Sequence, residues 1–153
     1  MSDENAGQKL PRLAVLVRIR DLQARKASLA LRGRLLDVRA AQAHVELCDQ
    51  RVDAVVAWKH RADNGLLQLG SYQLALDIES VAHVEQMQAS LDASACEQRL
   101  NAARVTYRDA CAEQRAVDER HQRLAEQALR DHERSESDAA AELWLARRTF
   151  DGH

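Results

Sequence analysis

The stretch RADNGLLQLGSYQLAL, Arg61 to Leu76, decides how this chain folds. Gly65 and Gly70 stand five residues apart, with Leu66, Leu67 and Leu69 between them. On either side run long segments with almost no Gly or Pro. Asn64 and Gly65 both tolerate the left-handed conformation of a helix C-cap, so the pair reads as a stop. Ser71 then serves as an N-cap for YQLALDIESVAHVEQ, and a second helix starts. The interruption is therefore the bend of a hairpin. Its leucines either close the turn over Val56 and Trp58 or form a docking point.

Working outward, Pro11 suits the first turn of a helix, where its missing N–H costs nothing. Residues 1–10 read as a flexible leader, helix 1 as about 12–63, the turn as about 64–71 and helix 2 as about 71–148, one helical hairpin over 11–150. In helix 1, Val17, Ala24, Leu31, Val38, Val45 and Val52 recur every seven residues. A companion row reads Arg20, Ala27, Arg34, Ala41, Cys48 and Val55. Sustained sevens predict a coiled-coil seam, clean from Val38 to Val56 and interrupted by arginine nearer the start. In helix 2 the seam is expected to begin with Leu74, Val81, Val84 and Leu91. It then slips into a register of Cys96, Ala103, Ala110, Val117 and Leu124, with Leu100 and Tyr107 between.

The helices would be about 50 and about 78 residues, roughly 80 and 115 Å long. A short connection makes them antiparallel neighbours, with Leu13 opposite about Gln122. The fold class is all-α: a long antiparallel two-helix coiled-coil hairpin with an overhanging C-terminal helix.

Composition supports this. Aromatics are 3% of 153 residues, with 5 Gly and 1 Pro, so the vocabulary is that of long helices with a narrow core. The longest apolar run, Leu13–Val17, is far short of a membrane span. The N-terminus is acidic and polar before Lys9, unlike a secretory signal. Cys48, Cys96 and Cys111 are too few and scattered for a disulfide framework, so a soluble, cytoplasmic location is expected.

Net charge is −2, which gives no global reason to expect nucleic acid. Its distribution is uneven. Residues 9–39 hold nine basic and two acidic residues, a balance of +7, and residues 40–98 hold three and nine, a balance of −6. Gly65 to Gln98 contains no Lys or Arg. A hairpin would thus be positive at its open end and negative at its turn. The basic start lacks aromatics on which bases could stack. Its arginines suit either an acidic protein partner or Asp109, Glu113, Asp118 and Glu119 on the facing helix.

His44 and Cys48 stand four apart, a spacing that can chelate a metal, but Cys48 fills a seam position and no second pair lies near in sequence. Packing is the expected role; no metal and no cofactor is anticipated. His60, His83, His121, His132 and His153 suggest no cluster. A two-helix fold encloses no pocket in which to desolvate a nucleophile, so an enzyme is not expected.

Two apolar groups lack an obvious cover. Leu66, Leu67, Leu69, Tyr72 and Leu76 gather at the turn. Leu143, Trp144, Leu145 and Phe150 sit on the overhang, where a large aromatic reads as an anchor for another protein.

A hairpin of about 150 residues with a longer second helix, an apolar tip and interaction-ready termini resembles the stalk proteins of type III export, the FliJ and YscO kind, including Hrp-type members of plant-associated bacteria. The likeness covers most of the chain and lies in architecture and charge layout. It implies a non-enzymatic coupling protein whose paired termini enter a hexameric export ATPase. The tip then reaches the cytoplasmic domain of the export gate, and secretion chaperones are further partners. On this chain the ATPase-facing residues would be Arg12, Arg18, Arg20, Arg25, Trp144, Arg147 and Arg148. The gate-facing residues would be Leu66, Leu67, Leu69, Tyr72, Leu76 and His83, with Glu79 a charged interruption. Two other readings stand beside it: a coiled-coil adaptor or secretion chaperone binding effectors through the tip, and a hairpin lying on membranes through its basic N-terminal face and Leu13–Ile19.

Overall fold

The computed structural model describes residues 3–63 and 69–150, with side chains for 9–61 and 69–150. The described residues form two α-helices, α1 (Asp3–Asp63) and α2 (Leu69–Phe150). They pack against each other as an all-α antiparallel hairpin. The chain divides into two compact units, Lys26–Arg108 and Met1–Arg25 with Asp109–His153.

In the unit Lys26–Arg108, α1 buries Val38, Cys48 and Val52 and half-buries Ala41, Val45 and Val55. These are the two rows of sevens expected for helix 1. Facing them, α2 buries Ala75, Ala82, Ala89 and Leu100. Polar crossings among the described residues join the helices. Lys59 Nζ meets Glu79 at 2.8 Å, Gln86 Nε2 donates to Asp49 at 2.6 Å, and Arg51 meets Glu85 at 3.2 Å.

In the other unit, α1 buries Ala24 and half-buries Leu13 and Val17, while α2 half-buries Ala110, Gln114, Val117 and Leu124. Arg20 is ion-paired with Glu113, and Gln114 Nε2 donates to Asp21 at 3.2 Å. Residue 20 beside 113 matches the expected placing of Leu13 near Gln122. Arginine in the seam is accommodated because its aliphatic stem lies along the helix pair while the guanidinium reaches a carboxylate at the edge.

The structure corrects the lower half of the α2 seam. Ala75 is 1% exposed, whereas its neighbour Leu74 is 57% exposed, and Val81, Val84 and Leu91 are exposed with it. The seam runs Ala75, Ala82, Ala89, Cys96, Ala103, Ala110, Val117, Leu124 in unbroken sevens, with no register slip. The physical reason is spacing: alanine lets two backbones approach closely, while leucine on the same face would hold them apart.

The helix ends differ from expectation too. α1 starts at Asp3, so residues 3–10 are helical and Pro11 lies inside the helix. Proline there removes a single backbone hydrogen bond, a cost that a helix of this length absorbs. α2 starts at Leu69, which places Gly70 and Ser71 within the helix and not at its cap. It ends at Phe150, two residues beyond the expected 148. Asn64 and Gly65 lie outside the described residues.

Candidate functional site

Every residue of α2 from Leu129 to Phe150 is exposed. Short-range pairs on its own surface line the helix here, including Arg130 with Glu126 at 3.5 Å and His132 with Glu136 at 3.3 Å. Such pairs stabilise a helix by a few tenths of a kcal/mol each. The last turns carry one of the two tryptophans of the chain and its single phenylalanine. Trp144 is 58% and Phe150 90% exposed, beside exposed Leu143 and Leu145. Ala140, Leu143, Trp144, Ala146, Arg147 and Phe150 form one shallow open face. Arg148 lies over the Trp144 ring, 5.2 Å from its centroid, a cation–π contact that holds the indole plane. The result is a helix end that is apolar on one side and cationic at its margin.

In the same unit, Arg12 and Arg18 are exposed and make no ion pair among the described residues. Arg20 is neutralised by Glu113, and Arg25 pairs with Asp21 at 2.9 Å. Of the seven residues expected to face an ATPase, Arg20 and Arg25 are thus spoken for within the chain. Arg12, Arg18, Trp144, Arg147 and Arg148 present their groups outward.

The tip belongs to the other unit. Leu66 and Leu67 lie outside the described residues. Leu69, Tyr72 and Leu76 are all exposed, while Val56 is half-buried and Trp58 exposed. His83 is exposed, with Nδ1 3.3 Å from Gln86 Oε1 and Nε2 3.9 Å from Glu79. Glu79 does not interrupt this outward face: it turns into the seam, to Lys59. The hydrogen bond from Lys59 holds its carboxyl below the ordinary glutamate range, with the Lys59 and His83 charges acting in the same direction and desolvation opposing. Leu69, Leu76 and His83 share one flank of α2 at sevenfold spacing.

Cys48 is buried with its sulfur 3.9 Å from His44 Nε2, the packing role expected of it. Among the described residues no group of three His, Cys, Asp or Glu side chains could hold a metal ion, and no helix is long and apolar enough to cross a membrane.

Sequence reading missed one feature of the surface. In the unit Lys26–Arg108, both helices carry a second apolar row facing away from the seam: Leu29, Leu36 and Leu47 on α1, and Leu74, Val81, Val84, Met87 and Leu91 on α2. The signal was present as a second set of sevenfold spacings, but on α2 it was assigned to the core.

The molecule is thus a helical hairpin with an uncovered, apolar and cationic helix end. No family model, curated protein or solved structure matches the chain.

Proposed function

We propose that this chain is a non-enzymatic coupling stalk of a type III export apparatus, peripheral to the membrane, joining a hexameric export ATPase to the export gate. The observation that carries the reading is the uncovered end of α2. A helix without tertiary cover gains no stability from Trp144, Leu143 or Phe150 where they stand, so their exposure makes sense in a socket supplied by another protein. Arg147 and Arg148 at its margin, with Arg12 and Arg18 in the same unit, suit a socket lined by carboxylates. Exposed Leu69, Tyr72 and Leu76 supply a second contact, assigned to the gate.

The test uses purified cognate ATPase. The full chain should bind it and stimulate ATP hydrolysis. Deleting residues 140–153 should leave helicity intact and weaken binding, and Trp144→Ala alone should weaken it by about thirtyfold, near 2 kcal/mol. Unchanged capture of the ATPase by the deletion variant would count against the reading. The exposed tip also favours a second reading, an adaptor that binds effectors through Leu69, Tyr72 and Leu76. Tight effector binding without any effect on ATP hydrolysis would select it.

A further inference from the structure

In the unit Lys26–Arg108, α1 is apolar on two opposite faces. One is the seam on α2. The other reads Leu29, Gly33, Leu36, Ala40, Ala43, Leu47, with steps of four, three, four, three and four residues. Leu29 is 67%, Leu36 63% and Leu47 54% exposed, and Gly33, Ala40 and Ala43 are exposed as well. Lys26 and Gln50 continue the spacing and close the face with polar groups. Alternating steps of three and four are what a second helix lying along α1 requires.

Gly33 is the informative residue. Glycine inside a helix costs about 1 kcal/mol relative to alanine. Within its own chain nothing asks for it, since a Cβ at this position would meet no atom within 4 Å. A glycine on an outward apolar face, with Ala40 and Ala43 following, permits close approach from outside.

We propose that this face is a homodimer interface, occupied by the same face of a second copy running antiparallel about a two-fold axis near residue 38. Antiparallel pairing about that point sets large against small. Leu36 meets the second copy's Ala40, Gly33 meets its Ala43, Leu29 meets its Leu47, and Lys26 meets its Gln50. Layers of this kind interdigitate. A parallel pairing would instead set Gly33 on Gly33 and Leu36 on Leu36, leaving a void beside a bulge.

Charge suits the same arrangement. Arg32, Arg39 and Glu46 form a row of sevens along one margin of the face, all exposed, and none has an ion pair among the described residues. Antiparallel pairing brings Arg32 opposite Glu46 of the second copy, twice by symmetry. Arg39 meets its own counterpart at the axis, the single like-charge meeting on that margin. On the other margin Asp37 is held by Arg34 at 3.1 Å. The contact is isologous and closes at two copies. The outward row of α2 does not serve, because residues 69–98 carry acidic groups and no Lys or Arg, so two such faces repel.

This inference does not depend on the stalk reading, and its test needs no ATPase. Sedimentation equilibrium of the full chain over about 1–200 µM should give twice the 17.2 kDa chain mass at the upper end. Leu36→Glu should be monomeric with unchanged helicity. Arg32→Glu should weaken the dimer about tenfold or more, and Arg32→Glu with Glu46→Arg should restore it. Arg39→Ala should tighten it. A wild-type chain monomeric throughout, a dimer indifferent to Leu36→Glu, or a charge swap that fails to rescue would each overturn the proposal.

Discussion

Two stretches of α2 treat apolar side chains in opposite ways. From Ala75 to Leu91 the helix buries alanine and leaves leucine and valine outside. From Leu129 to Phe150 it buries nothing, yet carries Leu143, Trp144, Leu145 and Phe150. In the first stretch the helix is held by packing on α1. In the second it is held by continuity with the preceding turns and by pairs on its own surface. An isolated helix of that length is marginal in water, so the end of α2 borrows its order from what precedes it and has its side chains free for binding. Size and apolarity alone therefore do not mark the core of this protein; spacing does.

The contrast can be broken by mutation. The largest effect should come from Leu100→Ala, the one buried leucine of α2, at about 2–4 kcal/mol of unfolding free energy by chemical denaturation. Ala89→Leu should follow, at about 1–3 kcal/mol, because a larger side chain forces the backbones apart. Leu91→Ser, two residues further and outward, should change stability by no more than about 0.5 kcal/mol. If it costs as much as Leu100→Ala, the two faces are not distinct.

The smallest effect concerns acid. The Glu79 carboxyl is lowered in the folded chain, first by the hydrogen bond from Lys59. A lowered carboxyl stabilises the fold at neutral pH, and that contribution is lost as pH falls through the lowered value. Glu79→Gln should therefore lower stability slightly at neutral pH, leave it unchanged at the acid end and so flatten the acid limb of a thermal-stability profile. A profile identical to the wild type would show that the pair contributes nothing.

Much of the fold was legible because α1 repeats Val, Ala and Cys at a sustained spacing of seven between Val38 and Val55, where Leu47 is the single leucine outside the seam. The upper seam of α2, Cys96 to Leu124, was readable for the same reason. The lower seam was not, because Leu74, Val81, Val84 and Leu91 outweigh Ala75, Ala82 and Ala89 in hydropathy and sit at similar spacing. Only backward extension from Cys96 by sevens picks the alanines, and close approach of two backbones is a property of the pair that one helix does not display. Pro11 marks a boundary in the sequence but not in the structure, because a single proline does not stop a helix sustained on its far side. Of the candidate site, Trp144, Arg147 and Arg148 were found by asking what the facing helix could not reach. The internal partners of Arg20 and Arg25 needed side-chain geometry, as did the inward turn of Glu79.

A ladder of near-identical alanine rungs has a mechanical corollary. One methyl group resembles the next, so displacement of one strand along the other by a full heptad meets similar surface at either end of the step. What sets the strands in place within Lys26–Arg108 is the set of polar detents, Lys59 on Glu79, Gln86 on Asp49 and Arg51 on Glu85. Their geometry, more than the bulk of the contact, fixes the alignment of this half of the hairpin.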